Sequence, residues 1–131
     1  MEIDDGEVVV PENVTLEVVM GENPGRIYPV NLKTITIGRA EGCDIRLADQ
    51  YVSKKHCQIV FRGDHFTVID LQSLNKTRVN GNMYIQKNLK NNAIIRIGKT
   101  ELKFRWDGIN EELLNEDDDI PVPEDDSALN E

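Results

Sequence analysis

Between Leu16 and Trp106, apolar side chains recur in short alternating runs separated by turn-forming residues. Leu16 to Met20 runs into Gly21-Glu22-Asn23-Pro24-Gly25, a strong turn signal, and Ile27 to Val30 and Thr34 to Ile37 follow. Cys57 to Phe61 and Phe66 to Ile69 flank Arg62-Gly63-Asp64, which predicts a hairpin. Val79-Asn80-Gly81-Asn82 is a second hairpin signal, and Ala93 to Ile97 with Glu101 to Trp106 make a third around Gly98-Lys99. No segment before residue 109 sustains a helical period. Many short strands joined by tight turns predict an all-β protein, a two-sheet antiparallel β-sandwich spanning residues 14–106.

The two ends read differently. Residues 1–13 are acidic and aperiodic, a flexible lead-in. Residues 107–131 hold Glu116-Asp117-Asp118-Asp119 and Glu124-Asp125-Asp126, with too few apolar groups to offset the entropy of ordering. The expectation there is an acidic, disordered tail or linker, with at most a helical turn within Ile109 to Leu114.

Charge sharpens this division. The chain of 131 residues carries −9 overall, yet all 15 Lys and Arg lie between Arg26 and Arg105. Residues 14–106 set those fifteen against eight acids, a net of +7, so a basic body stands between acidic ends. Such a body suits an anionic ligand, either a phosphorylated peptide or nucleic acid. Cys43 and Cys57 are the only cysteines, too few for a disulfide scaffold or a four-ligand zinc site, and no metal or cofactor is implied. Met1-Glu2-Ile3-Asp4-Asp5 lacks a basic signal region and no apolar run reaches membrane length, so an intracellular protein is expected.

The candidate chemistry lies in three pieces: Gly38-Arg39, Ser53-Lys54-Lys55-His56, and Asn75 through Gly81. Hydroxyls, amides and one guanidinium at strand ends suit the holding of an anion, because a phosphate needs convergent donors and a fixed positive fork. His56 beside Ser53 and Asp70 suggests a catalytic triad only superficially. No Gly-x-Ser-x-Gly elbow or comparable frame surrounds the serine, and no enzyme activity is expected.

In this order and spacing the three pieces resemble the forkhead-associated (FHA) domain, a phosphothreonine-peptide binding module. The resemblance implies that Arg39, Ser53 and Lys54 contact phosphate and that Asn75 grips the peptide main chain. It implies that Gly38, His56, Thr77 and Gly81 are structural, and that Asn80 is mainly turn architecture with a possible peptide contact. Tyr51, two residues before the pocket serine, falls where the family selects the third residue after the phosphothreonine. A tyrosine there favours an apolar or hydrogen-bonding partner over an acidic one. Two positions depart from the family pattern: Leu74 replaces a common Ser or Thr, and Lys76 replaces the usual glycine. The lost hydroxyl should weaken phosphate binding by ~0.5–1.5 kcal/mol, which the Lys76 charge can offset.

The function expected is phosphothreonine-dependent binding in signalling assembly, with family analogy pointing to nuclear DNA-damage or cell-cycle roles. Two alternatives stand beside it. One is a structural or dimerising module with weakened phosphate binding. The other is nucleic-acid binding by the basic body, which an aromatic content of 5% disfavours.

Overall fold

The computed structural model describes residues 9–123. Its strands are β1 (Thr15–Met20), β2 (Ile27–Pro29), β3 (Thr34–Gly38), β4 (Ile45–Arg46), β5 (Cys57–Phe61), β6 (Phe66–Asp70), β7 (Thr77–Val79), β8 (Asn82–Asn88), β9 (Ile94–Ile97), β10 (Thr100–Arg105) and β11 (Ile120–Pro121). They form the expected β-sandwich, antiparallel except where β3 runs alongside β4. Hydrogen bonding continues from one layer to the other. The order β2-β1-β10-β9-β7 is joined to β6-β5-β3-β4 by β8, which pairs with β7 through Asn82–Tyr84 and with β6 through Gln86–Asn88.

Alternation decides which face is buried. Leu16 and Val18 of β1, Cys57, Ile59 and Phe61 of β5, and Leu102 and Phe104 of β10 point into the interior, while their neighbours are more exposed. The layers meet at Phe66 of β6, whose ring centroid lies 5.5 Å from that of Phe104 on β10 and 5.3 Å from that of Trp106. Edge-on packing of this kind adds about 0.5–1.5 kcal/mol per pair beyond area burial.

The β7–β8 hairpin turns at Asn80 and Gly81, with φ of 52° and 94°. Two successive left-handed residues are what a type I′ turn requires, and Asn-Gly supplies them at low cost. The Asn80 side chain is committed to this architecture, because its Oδ1 accepts the Ile94 N–H at 2.9 Å and ties β9 to the turn.

Residues 107–123 depart from the solvated tail that their composition predicts. They form two single 3-10 turns, Glu111–Leu113 and Glu116–Asp118, each capped by an asparagine side chain, and then β11 on β8. Asp119 reaches the Lys87 ammonium and the Asn88 backbone N–H, each at 2.9 Å. Polar contacts rather than apolar burial hold this segment: main-chain pairing with β8, the Gln86 and Asn88 side-chain amides, and the Asp119 carboxylate. Residues 1–8 and 124–131, parts of the expected flexible ends, lie outside the described residues.

Candidate functional site

The turns after β3, before β5, between β6 and β7, and between β9 and β10 gather at one end of the sandwich. Their contacts are specific. Arg39 N–H donates to the Ser53 carbonyl at 3.0 Å, and Ala40 N–H to the Lys54 carbonyl at 3.1 Å. Gly38 is buried at this crossing, with no room for a side chain.

Arg39 is exposed, and its Nε donates to the Val52 carbonyl at 2.9 Å. That bond fixes the guanidinium plane and leaves the two terminal nitrogens without a protein acceptor among the described residues. Glu41 and Asp44, its nearest candidate partners in sequence, do not pair with it; Asp44 instead accepts the Thr36 N–H at 2.8 Å. An oriented fork with free ends is suited to an external anion.

Ser53 is half-buried, and its Oγ accepts the Leu74 N–H at 3.0 Å. The hydroxyl proton is thereby left to donate outward. Leu74 thus serves through its backbone, and its side chain, 84% exposed, stands at the mouth. Asn75 donates Nδ2 to the Tyr51 carbonyl at 2.8 Å, which clamps the two loops and leaves Oδ1 as an acceptor. Lys54 is exposed on the same loop as Ser53, and Lys76 is half-buried.

His56 is fully buried and holds the loops from within. Its Nδ1 accepts the Ser53 N–H at 3.1 Å and its Nε2 donates to the Lys76 carbonyl at 2.9 Å, a pattern that a single neutral tautomer satisfies. Both nitrogens are spent on backbone, so neither activates the Ser53 hydroxyl, and the triad geometry is absent. Burial lowers its pKa below 6.5, outweighing the Lys76 carbonyl and the Asp70 charge that favour protonation.

Lys76 has φ of 67°, which explains the glycine usual in the family at this point. Below it, the Asp70 carboxylate accepts from the Ser73 N–H, the Ser73 hydroxyl and, at 2.8 Å, the Thr77 hydroxyl. Thr77 is thereby tied into the turn beneath Lys76. The Asp70-x-x-Ser73 spacing is a local sequence signal for this turn.

Asp49 had no such signal. Its carboxylate accepts from Tyr51 N–H at 2.9 Å, Lys99 N–H at 2.8 Å and the Thr100 hydroxyl at 2.8 Å, binding two loops about fifty residues apart in sequence. Burial alone would raise its pKa; these bonds and the Lys99 charge outweigh burial and hold it below 3.8. Beside it, Tyr51, Asn75, Arg78, Arg96, Gly98 and Lys99 line an open groove of about 510 Å³.

This fold and loop cluster define a small β-sandwich that gathers donor-bearing turns at one end. The FHA domain family matches residues 35–98, and the chain belongs to that family. It is 38% identical over 96 residues to the oxoglutarate dehydrogenase inhibitor of Corynebacterium jeikeium, covering 72% of this chain and 67% of that one. It is 36% identical to the glycogen accumulation regulator GarA of Mycolicibacterium smegmatis, covering 68% of this chain and 56% of the relative. Among solved structures, an FHA domain studied for phosphothreonine-dependent interactions superposes with a TM-score of 0.65 at 32% identity, covering 71% of this chain and 95% of that one. The segment after residue 106 lies outside the family match. Among the described residues, no helix is long and apolar enough to cross a membrane, and no cluster of His, Cys, Asp and Glu could hold a metal ion.

Proposed function

We propose that this chain is a phosphothreonine-peptide binding module that recruits a phosphorylated protein. The observation that carries the proposal is the state of the donors at the mouth. The Arg39 fork is oriented through Nε with its ends free among the described residues, and the Ser53 hydroxyl accepts from Leu74 so that its proton is available. Lys54 adds a compact charge beside Ser53, and Lys76 takes a second position on the opposite loop. Asn75 and Tyr51, already clamped to each other, form the shelf along which the peptide main chain runs, with the Asn75 carbonyl oxygen accepting a peptide N–H. Asn80, engaged with Ile94, belongs to the frame and not to the contact surface.

The bacterial relatives named above are an inhibitor and a regulator, which supports a binding role over catalysis and lends no support to a nuclear DNA-damage or cell-cycle setting. We place the module in signalling, where phosphorylation of the partner is the switch.

Calorimetric titration with matched phosphothreonine, phosphoserine and unmodified peptides tests this. Phosphothreonine should bind best and the unmodified peptide not at all; equal binding of the three would end the reading. Arg39→Ala should cost ~1.5–3 kcal/mol of affinity, a loss of about ten- to a hundredfold, with the melting curve unchanged. Arg39→Lys should recover only part of it, since a point charge does not reproduce the fork.

A further inference from the structure

We propose that the groove beside Asn75 is a second anion site, in which Arg78, Arg96 and Lys99 receive an acidic or phosphorylated side chain of the same peptide. The inference rests on the phosphothreonine reading above and extends it from one anionic anchor to two.

The first observation is a mismatch in the sheet. Arg78 of β7 and Arg96 of β9 are direct register partners in an antiparallel pair. Like charges directly opposite each other weaken a sheet. Arg96 is partly neutralised by Glu101, its partner on β10, at 3.1 Å. Arg78 is exposed, its partner on the other side is Met83, and no carboxylate pairs with it among the described residues. A row reading Met83, Arg78, Arg96, Glu101 across four strands leaves one guanidinium unmatched.

The second observation is the setting of Lys99. Its ammonium lies 4.6 Å from the centre of the Tyr51 ring, and its backbone N–H is anchored on Asp49. The three cations border one cavity with Tyr51, Asn75 and Gly98. Nearby carboxylates are already in use, Glu101 on Arg96 and Asp49 on the Lys99 N–H and the Thr100 hydroxyl. An anion entering the groove would bridge the arginine pair and relieve the repulsion between them.

The third observation is continuity. Asn75 borders this groove, while the preceding Leu74 N–H meets Ser53 at the phosphate mouth. The two surfaces are continuous, and an extended peptide, advancing ~3.3 Å per residue, presents its successive side chains along them. This reverses the preference that Tyr51 alone suggests, because the tyrosine presents Lys99 with it.

The test is a fluorescence-anisotropy titration with a parent peptide carrying one phosphothreonine in a neutral background. Single Glu or phosphoserine substitutions are then scanned over the four positions on each side. At one or two adjacent positions affinity should rise about three- to tenfold, and the gain should shrink in high salt. In Arg78→Gln/Lys99→Gln that gain should vanish while the parent binds as before. Equal gains from Glu and phosphoserine mean that a carboxylate suffices; a gain from phosphoserine alone assigns the site to a phosphoryl group. A flat scan around a parent that binds well, or a gain that survives the double variant, overturns this inference alone. A flat scan with a single-stranded oligonucleotide displaced by the same double substitution gives the groove to nucleic acid and also overturns it. If no peptide of the series binds, the phosphothreonine reading falls with it.

Discussion

Gly38 lies so close beneath Lys54 that a β-carbon on it would stand 2.1 Å from the Lys54 carbonyl oxygen. That oxygen also accepts the Ala40 N–H and the Cys43 thiol, each at 3.1 Å, so it cannot retreat without releasing the Arg39 turn. Gly38→Ala should therefore move the Ser53–Lys54 segment and cost about 1–3 kcal/mol of stability. Phosphopeptide affinity should fall with it, because Ser53 and Arg39 lose their relative placement. Urea unfolding and peptide titration of one preparation check both; an unchanged melt with full binding would mean that the crossing is looser than its geometry.

Lys76 has the opposite problem, a side chain where the backbone favours none. Its φ of 67° costs a lysine about 1–2 kcal/mol relative to the right-handed region. Glycine avoids that strain but loses more entropy on folding, so Lys76→Gly should raise stability by a net ~0.5–1 kcal/mol. Lys76→Ala keeps the strain and should give no such gain. Thermal melts of the two variants separate backbone strain from the lost charge.

The acid limb of the stability curve should carry the signature of His56. Its folded pKa lies below the ordinary 6.5, because burial disfavours the imidazolium. As pH falls, the unfolded chain takes up this proton first, so stability is full above about 6.5 and declines beneath it until the folded form protonates too. Asp49 acts lower down: its depressed pKa stabilises the fold above 3.8 and that contribution is lost only as pH falls further. Melting temperatures from pH 7.5 to 5.5 should fall in the wild type and flatten in His56→Gln. A parallel slope in both proteins would shift the effect to other groups.

Asp119 should decide whether the acidic segment stays on β8. Its side chain is 12% exposed and that of Lys87 18%, so the pair is well shielded. Asp119→Ala leaves the Lys87 ammonium and the Asn88 N–H without their acceptor, at about 1–2 kcal/mol. The loss should be local. Hydrogen exchange should speed up at residues 115–122 while the β5 and β6 amides stay protected.

Local chemistry made much of this molecule legible in its sequence. The alternation in Cys57–Phe61 records a strand with one buried face, and Asn80-Gly81 records a turn with two left-handed residues. Gly38-Arg39, Ser53 through His56, and Asn75 carried the family because their spacing survives any detail of packing. What only the tertiary structure decided is which distant groups meet. Asp49 finds Lys99 and Thr100, Arg78 falls opposite Arg96, and Asp119 reaches Lys87 on β8. Side-chain periodicity reports burial, which each strand settles for itself. Register and loop apposition come from pairing between strands far apart in the chain, where a shift of one residue would exchange every partner.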